Sequence, residues 1–198
     1  MDGLVARICN CTKCPLAETR NTVVVGRGNK EASLMFIGEA PGAKEDETGL
    51  PFVGKAGTML STYLSSVGID ESSIYIANIL KCRPPNNRNP KKDEIEMCTP
   101  WLVGQIREIS PKIICTLGNY ATKFILAKGN IAAMSTIDGI SSLHGKPINM
   151  ELFSKELIVF PLYHPAAIIY NRALNDAMER DMLELAKLHK ETVRGPVS

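Results

Sequence analysis

The sequence predicts an α/β fold in which helices cover both faces of a mainly parallel sheet. Two observations carry this. Four short apolar runs, residues 33–38 (SLMFIG), 74–80 (IYIANIL), 112–117 (KIICTL) and 156–160 (ELIVF), are continuous rather than alternating, as strands buried on both faces are. Between them lie stretches with apolar residues at helical spacing, the alternation that parallel βαβ units require.

In order, residues 1–20 read as a short helix and a loop carrying the first cysteines, and 33–38 as a strand entering a glycine- and proline-rich turn. Residues 56–67 (AGTMLSTYLSSV) have helical periodicity, ended by Gly68. The second strand, 74–80, runs into residues 81–90 (KCRPPNNRNP), whose prolines and asparagines make a loop. Residues 90–109 read as a helix, with Pro90 near its first turn and Asp93 and Glu94 close to its positive end. The third strand follows at 112–117, then a helix at 119–127, then a weakly patterned, loop-like stretch at 130–149. The fourth strand is 156–160, and an amphipathic helix at 175–190 closes the chain before a frayed end at 194–198. In such folds ligands sit beyond the carboxyl ends of the strands. Residues 39–42, 81–89 and 163–166 all follow strands directly.

A chain of 198 residues with 44% hydrophobic content is expected to form a single domain, residues 1–198. Its net charge of +2 gives no global attraction for nucleic acid, so any such signal must be local. No run approaches the ~18 apolar residues of a membrane span, and the first residues lack a signal-peptide core. The expectation is a soluble, intracellular protein without a membrane partner. Its six cysteines then read as metal ligands rather than disulfides.

Cys11 and Cys14 form a C-x2-C pair, and Cys82 and Cys98 return far downstream. Four thiolates gathered by folding hold an iron–sulfur cluster or a structural zinc. A zinc ribbon would show two tight pairs, and only one is present, which favours the cluster. Cys9 is left over beside the pair, and Cys115, inside an apolar strand, reads as a small buried hydrophobe.

Residues 49–56 (GLPFVGKA) fit G-x-x-x-x-G-K but place Ala56 where a phosphate-binding loop needs Ser or Thr, which argues against a nucleoside triphosphatase. Phe52, in this turn, instead offers an aromatic face to a flat ligand. In the GEAPG turn, Glu39 is flanked by Gly38 and Ala40, whose backbone a ligand can approach closely. Asn78, near the end of its apolar strand, can donate and accept in one plane, which suits the edge of a base. His164 stands at a strand exit before Pro165. Lys81, Arg83, Arg88, Lys91 and Lys92 form a basic loop without an acid among them, a local signature for phosphate contact.

Taken together, these segments resemble a known family. The C-x2-C followed by LAETR, GEAPGAKED (38–46), GLPFVGKAG (49–57), IANILKCRPPNNRNP (76–90), Cys98 and YHPAA (163–167) are similar, in order and spacing, to family 4 uracil-DNA glycosylases. These are the iron–sulfur enzymes of thermophilic bacteria and archaea. The resemblance spans roughly residues 8–171. It implies a three-layer α/β/α sandwich around a short, mainly parallel four-stranded sheet. It also implies a [4Fe–4S] cluster on Cys11, Cys14, Cys82 and Cys98, and hydrolytic excision of uracil from DNA. The catalytic pair it implies is Glu39 and His164. Phe52, Asn78, His164, Gly38 and Ala40 hold uracil, while Lys81, Arg83, Arg88 and Lys91 contact DNA. The partner implied is double- or single-stranded uracil-containing DNA, bound by a monomer located with the chromosome.

Base release requires the nucleotide to leave the stack, and charge grows on uracil O2 as the bond breaks. A hydrogen bond from His164 answers that charge, and Glu39 positions water or stabilises the cationic sugar. Asn87 is a candidate to orient Glu39, and Tyr170, Asn171 and Arg172 are candidates for the side chain that takes the vacated space. No lysine occupies a Schiff-base setting, which predicts a monofunctional enzyme. Two alternatives stand beside this one. A superfamily member that traps uracil-DNA would use a histidine-bearing loop, for which Ser142–Lys146 with His144 is the only candidate. A metal-scaffolded module would bind nucleic acid without releasing a base.

Overall fold

The computed structural model describes residues 1–194, so the expectation for residues 195–198 lies outside the described residues. The elements run α1 (Asp2–Cys9), α2 (Leu16–Thr19), β1 (Arg27–Gly28), β2 (Leu34–Gly38), α3 (Ala43–Thr48), α4 (Lys55–Ser66) and β3 (Tyr75–Asn78). They continue with α5 (Lys92–Ile109), β4 (Ile113–Leu117), α6 (Gly118–Leu126), α7 (Ile140–Leu143), β5 (Ile148–Leu152), β6 (Lys155–Leu162), α8 (Pro165–Tyr170) and α9 (Asn175–Arg194).

The strands form one mixed sheet of six, ordered β1-β3-β2-β4-β6-β5. The four apolar runs are its centre, β3, β2, β4 and β6, all mutually parallel. Two antiparallel edges, β1 on β3 and β5 on β6, correct the expectation of four strands. Both edges escape a reading based on apolar runs. β1 has two residues, and β5 (INMEL) is half exposed. The β5–β6 turn is made by Phe153 and Ser154, both at positive φ (52° and 67°), where hairpin turns ordinarily use Asn-Gly. Residues 130–149, expected to be loop-like, also hold a 3₁₀ segment at Ile131–Thr136 and α7. Helices α3 and α8 were likewise unmarked in the sequence, being six residues each.

Alternation of side chains across the pleat divides the core in two. Met35, Ile37, Tyr75, Ala77, Ile114 and Val159 pack with Leu102 and Ile106 of α5 and Phe124 of α6. Leu34, Phe36, Ile76, Cys115, Phe160 and Leu162 pack with Leu60 of α4, Ile168 of α8 and Met182 of α9. β2 and β4 are buried at every residue, which explains their unbroken apolar sequence. Phe36 is completely buried, and truncating a core phenylalanine costs about 3–5 kcal/mol. Cys115 lies in this core, where burial raises its thiol well above the ordinary range, so it stays a neutral hydrophobe.

The chain passes from β2 to β3 on one side, then crosses to β4 on the other. The carboxyl ends of β2 and β4 therefore flank a topological switch point, where open α/β sheets leave a crevice. Asp46 closes the neighbouring surface: it is buried and accepts from the Asn21 and Thr22 amides (3.0 and 3.4 Å) and from Asn21 Nδ2 (2.9 Å). These bonds fasten the segment after the C-x2-C pair to α3.

Candidate active site

A cavity of about 490 Å3 opens at the carboxyl ends of the parallel strands. That is ample for one small planar molecule. It brings together Glu39 and Ala40 after β2, Phe52 from the turn before α4, Asn78 at the end of β3, and His164 after β6. The loop after β3 contributes Pro84, Asn87 and Arg88, and Tyr170 closes α8 at the rim.

Its floor is Gly38. The register places Gly38 opposite Asn78. A Cβ at this glycine would lie 2.4 Å from Asn78 Oδ1 and 2.8 Å from the Phe52 ring. Both side chains therefore settle over a bare Cα. Phe52 is only 7% exposed and holds φ 54°, a left-handed conformation that costs a non-glycine residue about 1–3 kcal/mol. Its backbone is clasped by Gly57, whose added Cβ would meet the Phe52 carbonyl oxygen at 1.9 Å. Glu45, which the sequence reading did not single out, locks the same turn. Its Oε1 accepts from the Val53 and Gly54 amides (2.9 and 2.8 Å), and its Oε2 accepts from the Gly42 amide (3.1 Å). The signal was the Gly42-x-x-Glu45 spacing of a helix start, obscured because glycine has no capping hydroxyl.

His164 is the N-cap of α8, and its Nδ1 accepts from the Ala166 amide at 3.1 Å. With Nδ1 committed as an acceptor, the proton of the neutral ring resides on Nε2. Burial lowers its pKa to about 4, only partly opposed by Glu45, so the ring is neutral at pH 7. Its ring centre lies 5.9 Å from that of Phe52. Gly118, at φ 85°, lets the His164 side chain come close, since a Cβ there would sit 2.9 Å from His164 Cβ. Burial raises the Glu39 carboxyl above its ordinary range. Asn87 lines the same cavity but makes no hydrogen bond to Glu39 among the described residues; its Oδ1 accepts from Arg83 Nε at 2.8 Å.

The basic loop divides. Lys81 is 1% exposed and its Nζ donates to the Asn78 carbonyl at 2.6 Å, so it cannot reach a phosphate, contrary to its expected DNA contact. Arg88 is clamped by buried Glu94 in a bidentate pair (2.9 and 2.5 Å) and serves as cavity wall. Arg83 is half-buried and Lys91 lies on the surface. Tyr170 is 90% exposed at the cavity rim, whereas Asn171 spends its side chain accepting from the Ala173 amide. His144 is held by Asp181 (2.7 Å), stacks on Tyr163 and does not line the cavity, which leaves the trapping alternative without its histidine.

Cys11, Cys14, Cys82 and Cys98 line one narrow space on the far side of residues 78–82, and exposed Cys9 stands outside it. Among the described residues no three His, Cys, Asp or Glu side chains are spaced to hold a single metal ion. The cysteine space is nonetheless built for negative sulfur. Trp101 Nε1 donates to Cys11 Sγ (3.3 Å), Arg20 Nη1 to Cys82 Sγ (3.2 Å), and the Lys81 amide to Cys98 Sγ (3.3 Å). Burial pushes the Cys98 thiol up to about 12, and the Lys81 charge and amide pull it the other way. An all-cysteine donor set with N–H groups aimed at its sulfurs fits an iron–sulfur centre.

The Nε2–H tautomer of His164 is directly observable. Nitrogen NMR of histidine-labelled protein should show one ring neutral and protonated at Nε2 from pH 8 to pH 5. A His164 ring, assigned by the loss of its signals in His164→Asn, that titrates near pH 6.5 would contradict the buried N-cap arrangement.

Comparison with known proteins now adds to this geometry. Residues 25–187 match the family model described as the uracil DNA glycosylase superfamily. The chain is 41% identical to the type-4 uracil-DNA glycosylase of Sulfurisphaera tokodaii, over 95% of this chain and 84% of that protein. It is 40% identical to the Archaeoglobus fulgidus enzyme of the same name, over 95% and 92% respectively. With the Thermotoga maritima type-4 enzyme the figures are 39%, 93% and 90%. The chain belongs to the uracil-DNA glycosylase superfamily, in its type-4 branch.

Proposed function

We propose that this protein is a monofunctional uracil-DNA glycosylase acting as a single-domain monomer on uracil-containing DNA. The observation that carries this reading is the convergence of Phe52, Asn78, Glu39 and the Nε2–H of His164 in one cavity. Among the described residues no helix is long and apolar enough to cross a membrane, and the proposed place of action is with the chromosome.

A duplex hides the N-glycosidic bond, so the nucleotide is first extruded into the cavity. Phe52 stacks on the flat face of uracil, with the backbone at Gly38 and Ala40 alongside. Asn78 donates to O4 and accepts from N3–H. Cytosine reverses both groups and would leave buried polar atoms unpaired, a cost of about 1–3 kcal/mol for each. The bond pair between C1′ and N1 departs with uracil, and negative charge gathers on O2. The neutral His164 donates its Nε2–H there, which stabilises the anion without having to lose a charge of its own. Glu39, ionised, positions water against the cationic C1′. The water oxygen bonds to C1′, its proton is taken up by the Glu39 carboxylate and passed on to the uracil anion, which leaves as neutral uracil, and an abasic sugar remains.

In this reading Arg83 and Lys91 meet the phosphates of the DNA. Tyr170 is the side chain that takes the space left by the extruded nucleotide: it stands exposed on a short helix anchored by buried Ile168 and begun by His164 itself. In this reading Cys11, Cys14, Cys82 and Cys98 hold a [4Fe–4S] cluster, which when bound supplies a structural cross-link between the N-terminal segment and the Cys82–Cys98 loop.

The deciding experiment is single-turnover release of uracil from an oligonucleotide with one deoxyuridine, followed by alkaline cleavage at the abasic site. The wild type should cleave. His164→Ala should be slower by about 10²–10³ and Asn78→Ala by about tenfold or more. Tight binding with no abasic product would make the protein a binding module instead.

The pH profile assigns Glu39. Its pKa is raised and its active form is the carboxylate, so the rate should fall as pH drops through a midpoint above the usual carboxylate range. Glu39→Gln should be slow and lack that limb. A limb that persists in Glu39→Gln would assign it elsewhere.

Tyr170→Ala should slow release from a U·A pair by about tenfold or more, slow it less from U·G, and leave single-stranded substrate nearly unchanged, because only a paired base resists extrusion. Equal losses on all three substrates would remove Tyr170 from that role.

A further inference from the structure

Lys81 is among the largest fully buried side chains of the protein, and the reaction described above makes no use of its ammonium. A buried lysine is rare unless something compensates its charge. Here the compensation comes from two directions. On one side Nζ donates to the main-chain carbonyl of Asn78 at 2.6 Å. On the other, the residue lines the cysteine space with Cys82 and Cys98 rather than the catalytic cavity. Its own amide donates to Cys98 Sγ at 3.3 Å, and its carbonyl accepts from the Val24 amide at 2.8 Å.

The backbone between these points is short and fastened. Asn78 ends β3, and the next two amides, of Ile79 and Leu80, donate to the carbonyls of Gly38 and Glu39 (2.9 and 3.0 Å). Five residues therefore run from the base-reading amide to a cysteine of the cage, and the Lys81 side chain folds back across them to grip the first. Displacing the ammonium would free the Asn78 carbonyl and remove the buried cation that lines the cysteine space, leaving Arg20 on Cys82 Sγ as the charged donor to the sulfurs. Asn78 could then rotate away from the plane in which it must both donate and accept.

We propose that Lys81 is a positioning residue that couples the four-cysteine cage to Asn78, so that the integrity of the cage sets how well the pocket reads the uracil edge. This rests on the glycosylase reading and adds a route by which metal occupancy reaches base recognition. A lysine suits the task because its long stem spans the buried gap while its charge answers the cage. Methionine has similar bulk and no charge.

The test is a double-mutant cycle read on inhibition by free uracil, with Lys81→Met, Asn78→Ala and the pair. If Lys81 acts through Asn78, Lys81→Met should raise the inhibition constant about tenfold alone and less than about twofold in the Asn78→Ala background. Equal factors in both backgrounds would overturn the coupling. Iron per chain after timed exposure to a chelator reads the other end, independent of activity. Lys81→Met should lose iron several-fold faster than wild type, and an unchanged rate would overturn the link to the cage. Should Lys81→Met yield no folded protein, Lys81→Gln, which keeps a donor without the charge, carries the same cycle. A wild type that neither releases nor binds uracil would sink the glycosylase reading as well, whereas a wild type that does both, with equal factors in the cycle, sinks the coupling alone.

Discussion

The absence of a side chain at Gly38 is the constraint on which the pocket rests. β2 ends there, beside Asn78 across the parallel register, and the Phe52 ring lies over the same Cα. A single methyl group would contact both within 3 Å, so the placement of both side chains depends on one missing Cβ. The strain in Phe52 and the carboxylate of Glu45 serve the same end: three amide bonds to Glu45 hold a turn that left-handed backbone alone would not keep.

Around that glycine the electrostatics divide by depth. The neutral His164 and the raised Glu39 belong to a poorly solvated cavity, where a donor or a carboxylate acts more strongly than in water. His164 is kept neutral by burial and kept in one tautomer by the helix it begins, so a local structural duty determines which nitrogen carries the proton. On the opposite side of residues 78–82, Arg20, Lys81 and Trp101 turn N–H groups toward sulfur. The loop between the two centres carries charge that composition assigns to the surface, yet Lys81 faces inward and Arg88 is spent on Glu94.

Much of the fold was legible because burial on both faces leaves an unmistakable trace. SLMFIG and KIICTL had to be central strands, since no alternating or amphipathic element tolerates such runs. The edges left no trace. β1 is too short, and β5 alternates with solvent and joins β6 through Phe153 and Ser154, residues that no turn rule anticipates at positive φ. Helices α3 and α8 are single short segments whose ends are set by Glu45 and His164 rather than by periodicity.

For the site, the sequence by itself determined the chemical types: a carboxylate after β2, a planar amide ending β3, a histidine after β6, an aromatic in a glycine-rich turn and four cysteines. Their positions after strands sufficed to predict that they meet, because parallel strands end on one side of the sheet. Only the tertiary structure decided which charges face water, which nitrogen of His164 is free, and that Cys9 stands apart from the four thiols of the cysteine space. Those outcomes depend on distances between segments far apart in the chain: the Arg88–Glu94 clamp, the Lys81–Asn78 bond and the close approach of Gly118 to His164. Local patterns report what a residue can do, and packing selects which of its bonds is made.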